Sequence, residues 1–360
     1  MNPSGAPVTV PNTAHHSLEG LSANLKDLLD SFSNLRIEGE PAPTDLSPPP
    51  PCPISEIPDE ILSEILLHLA IIDLPSFARL AQVCKRLAYL VTTEDRIWKR
   101  IALGPEQGFA AMHYDFACQV DGKPLGDDGE GGYVLGSDES DDILDAAATK
   151  QPDPVSLTPL LVPAIYPTYR ALFRHRPRLR FNGAYISTVN YTRPGASSPT
   201  SISWNSPIHI VTYYRYLRFL RDGTVISLLT TSEPPDVVPY LHLEHVHKNH
   251  GGLPSAPMKD AVIGRWRLSG PTVPGDADGE MIGEKEGVVH VETAGATPKY
   301  LYKMVLLMGS AGRGARNNKL NWQGYWSYNK LTDDWATFMM KNDRHRPFYW
   351  SRVRSWGIEG

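Results

Sequence analysis

Residues 54–101 read ISEIPDEILSEILLHLAIIDLPSFARLAQVCKRLAYLVTTEDRIWKRI, and this stretch decides how the front of the chain folds. Pro58 has a fixed φ and no N–H, which suits the first position of a helix, and Asp59 and Glu60 complement the positive helix start. Ile61, Leu62, Ile65, Leu66 and Leu69 follow an i, i+1, i+4, i+5, i+8 pattern. That pattern is an apolar band wide enough to face two neighbours at once. The helix should stop near Asp73. A second should run from Pro75 to Val83 and a third from Cys84 to about Val91, with Trp98 just past an acidic turn. Three helices this short cannot bury so much aliphatic surface among themselves, so part of it is expected to serve a partner.

Ile57-Pro58, Ile61-Leu62, Ile65-Leu66, Leu69, Asp73-Leu74, Leu80, Val83-Cys84-Lys85 and Trp98 together resemble an F-box. The resemblance implies docking on the Skp adaptor (S-phase kinase-associated protein one), and through it on a cullin and a RING protein. A chain so placed would be the substrate receptor of a Skp-cullin-F-box ubiquitin ligase. Carried over position by position, the adaptor contacts are Ile57, Pro58, Ile61, Leu62, Ile65 and Leu66, with Leu69, Leu74, Val83, Cys84 and Trp98. Sequence alone does not divide core from interface among them.

Outward from this stretch the chain changes character. Pro41, Pro43, Pro48, Pro49, Pro50, Pro51 and Pro53 make a stiff, extended spacer before the helices. Within residues 1–53 the reading leaves one short amphipathic helix over 17–32, with Leu18, Leu21, Leu25, Leu28 and Leu29 at helical spacing. Asp121 to Asp145 holds nine acidic residues against Lys123 alone, so 119–156 reads as an acidic, disordered insert. Ser137 and Ser140 lie within it as candidate acid-directed phosphorylation sites. A basic run follows: Arg170, Arg174, His175, Arg176, Arg178 and Arg180. If it is exposed, the insert could cover it.

From 157 to the C-terminus the expectation is a β-rich domain, because beyond Leu179 the period turns to two. Leu179, Phe181 and Tyr185 alternate with Arg180, Asn182 and Ala184. Asp222-Gly223 is a two-residue hairpin signal between Val211–Arg221 and Thr224–Thr231. Further strands are expected around Val262–Leu268, Val288–Glu292, Tyr300–Met308, Leu320–Tyr328, Trp335–Met340 and Phe348–Arg354. No long helical pattern separates them, which favours an antiparallel sheet curled into a barrel, with a β-sandwich as the alternative. The fold class is therefore α+β and multidomain: a small three-helix motif, then an antiparallel barrel-like domain.

Several segments of this half, RPRLRFNGAYIS at Arg176–Ser187, YYRYLRFLRDG at Tyr213–Gly223, GRWRL at Gly264–Leu268, KLNWQGY at Lys319–Tyr325 and FYWSRVRS at Phe348–Ser355, resemble the C-terminal domain of the F-box only protein nine family and its fungal relatives. The resemblance implies a module that selects protein targets. The residues expected to meet a target are Trp266 and Trp322, with Arg352 and Arg354, the two arginines sharing a face of the last strand with Phe348 and Trp350. A structural plug of arginine on tryptophan is the competing reading.

Other chemistry is weakly signalled. HLEHVHKNHGG at 242–252 lacks both HExxH and cysteine and reads as a solvated loop, and GSAGRGAR at 309–316 as a hairpin turn. Cys52, Cys84 and Cys118 form no CxxC pair, which suits a reducing compartment, cytoplasmic or nuclear. A net charge of −5 argues against a nucleic-acid binder, and no apolar run suggests a membrane span. No catalytic residue, metal or cofactor is expected. The alternative to a ligase receptor is a non-degradative, Skp-bound adaptor whose barrel takes a ligand or peptide.

Overall fold

A computed structural model describes residues 37, 39, 41–48, 50–126, 154–194, 208–270, 273–274, 281–282, 285–340 and 345–356. The amphipathic segment 17–32, both candidate phosphoserines and most of the acidic insert lie outside the described residues. The chain divides into two compact units, Met1–Gly108 with Thr158–Arg176, and Phe109–Leu157 with Pro177–Gly360.

The first unit is helical. Helix α1 spans Asp59–Ile72, so Pro58 is its cap rather than its first residue, and the Pro58 carbonyl accepts from the Leu62 N–H at 3.0 Å. Asp73 both ends α1 and starts α2, Leu74–Arg79. Its N–H donates to the Leu69 carbonyl at 2.7 Å, while its carboxylate accepts from the Ser76 N–H at 3.4 Å and the Ser76 hydroxyl at 2.5 Å. These are the acceptors an N-terminal turn otherwise lacks. A 3₁₀ turn, Leu80–Gln82, leads to α3, Lys85–Thr93, which begins after an extended Cys84.

A fourth helix, α4 at Asp95–Leu103, departs from the expected three. The acidic pair Glu94-Asp95 is not a turn after the last helix. Glu94 is a single-residue break (φ −72°, ψ 87°), and Asp95 opens α4, where a carboxylate favours the helix start. Trp98 thus sits inside a helix and at the centre of the core. Its ring lies 5.8 Å from Phe77 and 6.0 Å from Phe173, and its Nε1 donates to the Val91 carbonyl at 2.7 Å.

Phe173 belongs to α5, Tyr169–His175, capped by the Thr168 hydroxyl, which accepts from the Ala171 N–H at 3.1 Å. Residues 158–176 were assigned by sequence to the β-rich half, yet they group with the helices, because Ala171, Leu172 and Phe173 are buried there. The basic run is correspondingly no open patch. Arg176 is fully buried and donates to the Thr158 hydroxyl at 2.7 Å, and Arg170 lies 5.7 Å from the centre of the Trp98 ring.

The second unit is a closed barrel. Its strands are β1 (Gly183–Pro194), β2 (Ile208–Phe219), β3 (Thr224–Thr230), β4 (Val262–Leu268), β5 (Val273–Pro274), β6 (Met281–Ile282), β7 (Val288–Ala294), β8 (Tyr300–Gly309), β9 (Lys319–Asn329), β10 (Asp334–Thr337) and β11 (Phe348–Arg352). The antiparallel order β9-β11-β1-β2-β3-β4-β7-β8 returns to β9, so eight strands close the ring; β5 and β6 form a separate hairpin. Strand β9 pairs with β8 along its whole length, and on its other edge first with β11 (Lys319, Leu320) and then with β10 (Trp326 to Asn329). Closure satisfies the edge hydrogen bonds that an open sheet would expose.

The turn at Asp222-Gly223 forms as expected. Gly223 has φ 88°, and Asp222 Oδ1 accepts from both the Thr224 N–H at 2.8 Å and its hydroxyl at 2.6 Å. Tyr185, Leu217, Phe219, Val225, Trp266, Val291, Met304, Leu306, Leu320 and Phe348 are buried at alternate positions around the ring. Tyr185 meets Phe219 edge to face at 5.4 Å, and Phe219 meets Trp266 at 5.9 Å.

The outer face of β1 to β3 is covered as well, although the alternation of Leu179, Phe181 and Tyr185 with Arg180, Asn182 and Ala184 suggested a mostly polar second face there. Ala184, Tyr216, Ile226 and Leu228 pack under Val237, Leu241 and Met258 of the β3–β4 connection and under Trp356. A strand buried on both faces shows no clean alternation. Leu179 and Phe181 are also buried, although β1 starts only at Gly183.

Candidate adaptor surface and barrel lumen

Helical spacing divides the apolar band of α1 into two stripes. Leu62, Leu66 and Ala70 are 3%, 2% and 1% exposed, whereas Ile61, Ile65 and Ile72 are 54%, 48% and 63% exposed. Steps of four and seven residues keep the second stripe on one face of the helix. Val83, at 68%, and Ile54, at 40%, are also open, as is Pro58. Ile57, Leu69, Leu74 and Cys84 are half-buried. Of the residues expected to touch the adaptor, Leu62, Leu66 and Trp98 are instead core, with Trp98 only 8% exposed. Ile54 and Ile72 escaped the sequence reading, although the i+7 step from Ile65 to Ile72 could have found the latter. Two ion pairs tie α1 to later helices, Asp59 to Arg86 and Glu64 to Arg96, each at 2.5 Å.

In the barrel the expected target-binding residues separate. Trp266 is wholly buried, its Nε1 donates to the Leu220 carbonyl at 2.9 Å, and His113, Phe181 and Phe219 ring it, so it is core and cannot meet a target. Arg354 does not share a strand face with Arg352. Strand β11 ends at Arg352, and Arg354 is exposed in a 3₁₀ turn, Arg354–Trp356. The residue after a strand's last pair is free of the two-residue alternation, so side-chain parity carried across that boundary fails. Arg352 is half-buried, and the next tryptophan on its face, Trp350, lies 4.6 Å below the Arg180 guanidinium.

Trp322 stays accessible in part. Its ring is 5.0 Å from Phe348 and 5.7 Å from Tyr325, and its Nε1 donates to the Arg346 carbonyl at 3.1 Å. Arg215 joins it there, 5.4 Å from the Trp322 ring centre and 5.0 Å from that of Tyr325. The alternation Tyr213, Arg215, Leu217, Phe219 puts Arg215 on the inward stripe, a signal present in the arginine-rich strand itself. Burial raises the Tyr325 hydroxyl above its ordinary pKa, although Arg215 beside it acts in the opposite direction.

Other buried arginines have protein partners. Arg265 donates from Nε to Glu292 at 2.8 Å, pairs with it again at 2.7 Å, and lies 4.1 Å over the Phe116 ring. Arg218 donates to the Leu241 carbonyl at 2.5 Å and covers Trp356 at 3.7 Å. At the other end of the lumen Tyr185, desolvated, has its hydroxyl pushed up to about 12.

The histidine segment is less solvated than expected. His250 is buried, its ring nitrogens bonded to the Ser255 hydroxyl at 2.9 Å and the His247 carbonyl at 2.6 Å, and it stacks on His247 at 4.1 Å. Among the described residues no three His, Cys, Asp or Glu side chains gather as metal ligands would. The glycine segment 309–316 lies in the β8–β9 hairpin connection, as expected.

Comparison with known proteins places both units. The F-box-like family model matches residues 54–104, and the F-box only protein C-terminal region matches residues 163–329. F-box protein pof7 of Schizosaccharomyces pombe is 32% identical over 200 residues, covering 54% of this chain and 47% of that protein. F-box protein HRT3 of Saccharomyces cerevisiae is 47% identical over 77 residues, 21% of this chain and 22% of that protein. The chain thus spans about half the length or less of these curated relatives. No solved structure matches it. The chain thus matches, in this order, an F-box-like region and an F-box only protein C-terminal region.

Proposed function

We propose that this protein is the substrate receptor of a Skp-cullin-F-box ubiquitin ligase, docking on the Skp adaptor through its helical unit and holding protein targets on its barrel. The observation that carries this reading is the unburied stripe Ile61, Ile65 and Ile72, with Val83, on helices whose opposite face is already packed. Exposed side chains this large, in helical register, are what a helix-docking partner covers. In this reading the two interface classes differ in role. Ile61, Ile65, Val83 and Pro58 touch the adaptor, while Leu62, Leu66 and Trp98 hold the helices that present them.

The receptor contributes geometry. A target held beside the conjugating enzyme reacts at the effective concentration set by tethering, and the chemistry belongs to the other subunits. The site of action would be the cytoplasm or nucleus.

The test is co-purification of the adaptor and cullin with the intact chain and with an Ile61→Asp, Ile65→Asp variant. Burying an isoleucine is worth about 1.5–3 kcal/mol, so the double change should weaken capture by roughly 100-fold or more while the melting transition stays in place. Leu66→Asp makes a poor probe, because it places a charge in the core and unfolds the unit. Undiminished capture by the Ile61, Ile65 variant would overturn the docking face. Capture of the adaptor without cullin would turn the reading to a non-degradative complex.

A further inference from the structure

We infer that Arg215, inside one end of the barrel lumen, receives a carboxylate from an acidic, extended peptide segment of the target. The inference rests on the receptor reading above and names the chemistry of what the barrel holds.

Arg215 stands opposite Ser187 on one side and Leu229 on the other, two residues from the buried Leu217, so its side chain is directed into the lumen. Strands β2 and β9 are not neighbours in the ring, since β1 and β11 lie between them. The approach of Arg215 to Trp322 and Tyr325 therefore crosses the lumen. Tyr325 in turn stacks on Phe338 at 4.5 Å and lies 5.9 Å from Tyr302. The guanidinium thus sits over a floor of aromatic rings, which holds a cation without neutralising it.

Its guanidinium hydrogen-bonds the Tyr325 hydroxyl, but its Nε is buried with no hydrogen-bond partner, and no described carboxylate pairs with Arg215. Arg265, in the same sheet, has its charge answered by Glu292. A buried donor left unanswered carries a desolvation penalty that an incoming acceptor removes.

At this end the regular β11 ladder stops short. Strand β11 pairs with β1 only from Gly183 to Ile186, and with β9 only at Lys319 and Leu320. Past those points residues 345–346 carry the connection between β1 and β9: His345 bridges Val189, the Arg346 N–H donates to the Thr188 carbonyl at 3.2 Å, and the Arg346 carbonyl accepts from the Ser187 hydroxyl and from Trp322 Nε1, while β10 flanks the rest of β9. The rim carries exposed apolar side chains: Tyr213 at 38%, Leu229 at 48% and Phe338 at 41%. A single guanidinium among rings matches a singly charged carboxylate flanked by apolar residues. A phosphate dianion calls for more than one cation.

The experiment uses the full chain and three fluorescein-labelled octapeptide pools, alike except for a central Asp, Asn or phosphoserine flanked by leucine, read by fluorescence polarisation. The Asp pool should bind about tenfold or more tightly than the Asn pool, a difference of at least ~1.4 kcal/mol. Arg215→Gln should erase that preference, and Arg215→Lys should keep part of it. Equal binding of the Asp and Asn pools by the unsubstituted chain would overturn the inference whether or not the variants fold. So would preference for phosphoserine, or an Asp preference that survives Arg215→Gln. Adaptor capture by the Arg215→Gln chain is scored in parallel. Its retention alongside unchanged peptide binding would sink the Arg215 site and leave the receptor reading standing.

Discussion

The Arg265–Glu292 pair offers the sharpest quantitative test of how the barrel wall is held. The two residues face each other in register on β4 and β7, with side chains 3% and 0% exposed. Glu292→Leu removes the anion and leaves the guanidinium in place, with the Cys118 carbonyl 3.4 Å from its Nη1 and the Phe116 ring beneath it. Breaking one side of a buried pair costs about 3–5 kcal/mol, because the remaining charge has lost its counter-ion without regaining water. At ~2–4 °C per kcal/mol for a unit of this size, the melting temperature of the barrel should fall by roughly 6–20 °C. Replacing both partners, Arg265→Met with Glu292→Leu, removes the stranded charge and should restore most of that loss. A double-mutant cycle in urea, followed by tryptophan fluorescence, should then return a coupling energy above about 3 kcal/mol, because each single change strands a buried charge and the double change strands none. If Glu292→Leu alone cost less than about 1 kcal/mol, or if the double variant were as unstable as the two singles added together, the pair would not be the fastening described here.

Gly264 sits where β4 and β7 approach closely. A Cβ there would overlap the Glu292 carbonyl oxygen and lie 2.7 Å from Thr293 Cγ2 and 2.9 Å from its Cα. Gly264→Ala should therefore destabilise the barrel by about 2–3 kcal/mol, seen as a lowered thermal midpoint, and an unchanged midpoint would contradict the register. The Cys118 thiol is pushed up to about 11, first by burial and then by Asp222 and Asp121, with Arg265 opposing. Because the neutral thiol persists well above pH 8, iodoacetamide at that pH should modify the partly exposed Cys52 and Cys84 and spare Cys118 until denaturant is added. Labelling of Cys118 in the native protein as fast as the other two would refute its place under the barrel wall.

Where the pattern was local, the sequence was legible. The α1 band, the Asp222-Gly223 turn and the run of short strands each depend on residues a few positions apart, and each appears where it was read. Apart from Arg354, lost to a strand that ends two residues early, the misreadings come from contacts between distant segments. Glu94-Asp95 looks like a turn until Trp98 is seen to need a helix that carries its ring onto Phe77 and Phe173. Ala184 and Tyr185 are both fully buried because a covering layer from 237–258 and Trp356 closes the outer face of β1.

The sequence by itself determined the order of the modules, the helical period of the first and the twofold period of the second, because binary pattern and turn chemistry are written in neighbouring residues. Only the tertiary structure decided which apolar residues remain open. Ile61 and Leu62 are adjacent and chemically alike, yet one is 54% exposed and the other 3%, a difference set by which side of α1 the other helices occupy. Closure decided the lumen in the same way. Arg215 meets Trp322 across a ring whose β1–β11 pairing and whose lumen contacts join residues far apart in the chain, and no local pattern records which strand will face which across that space.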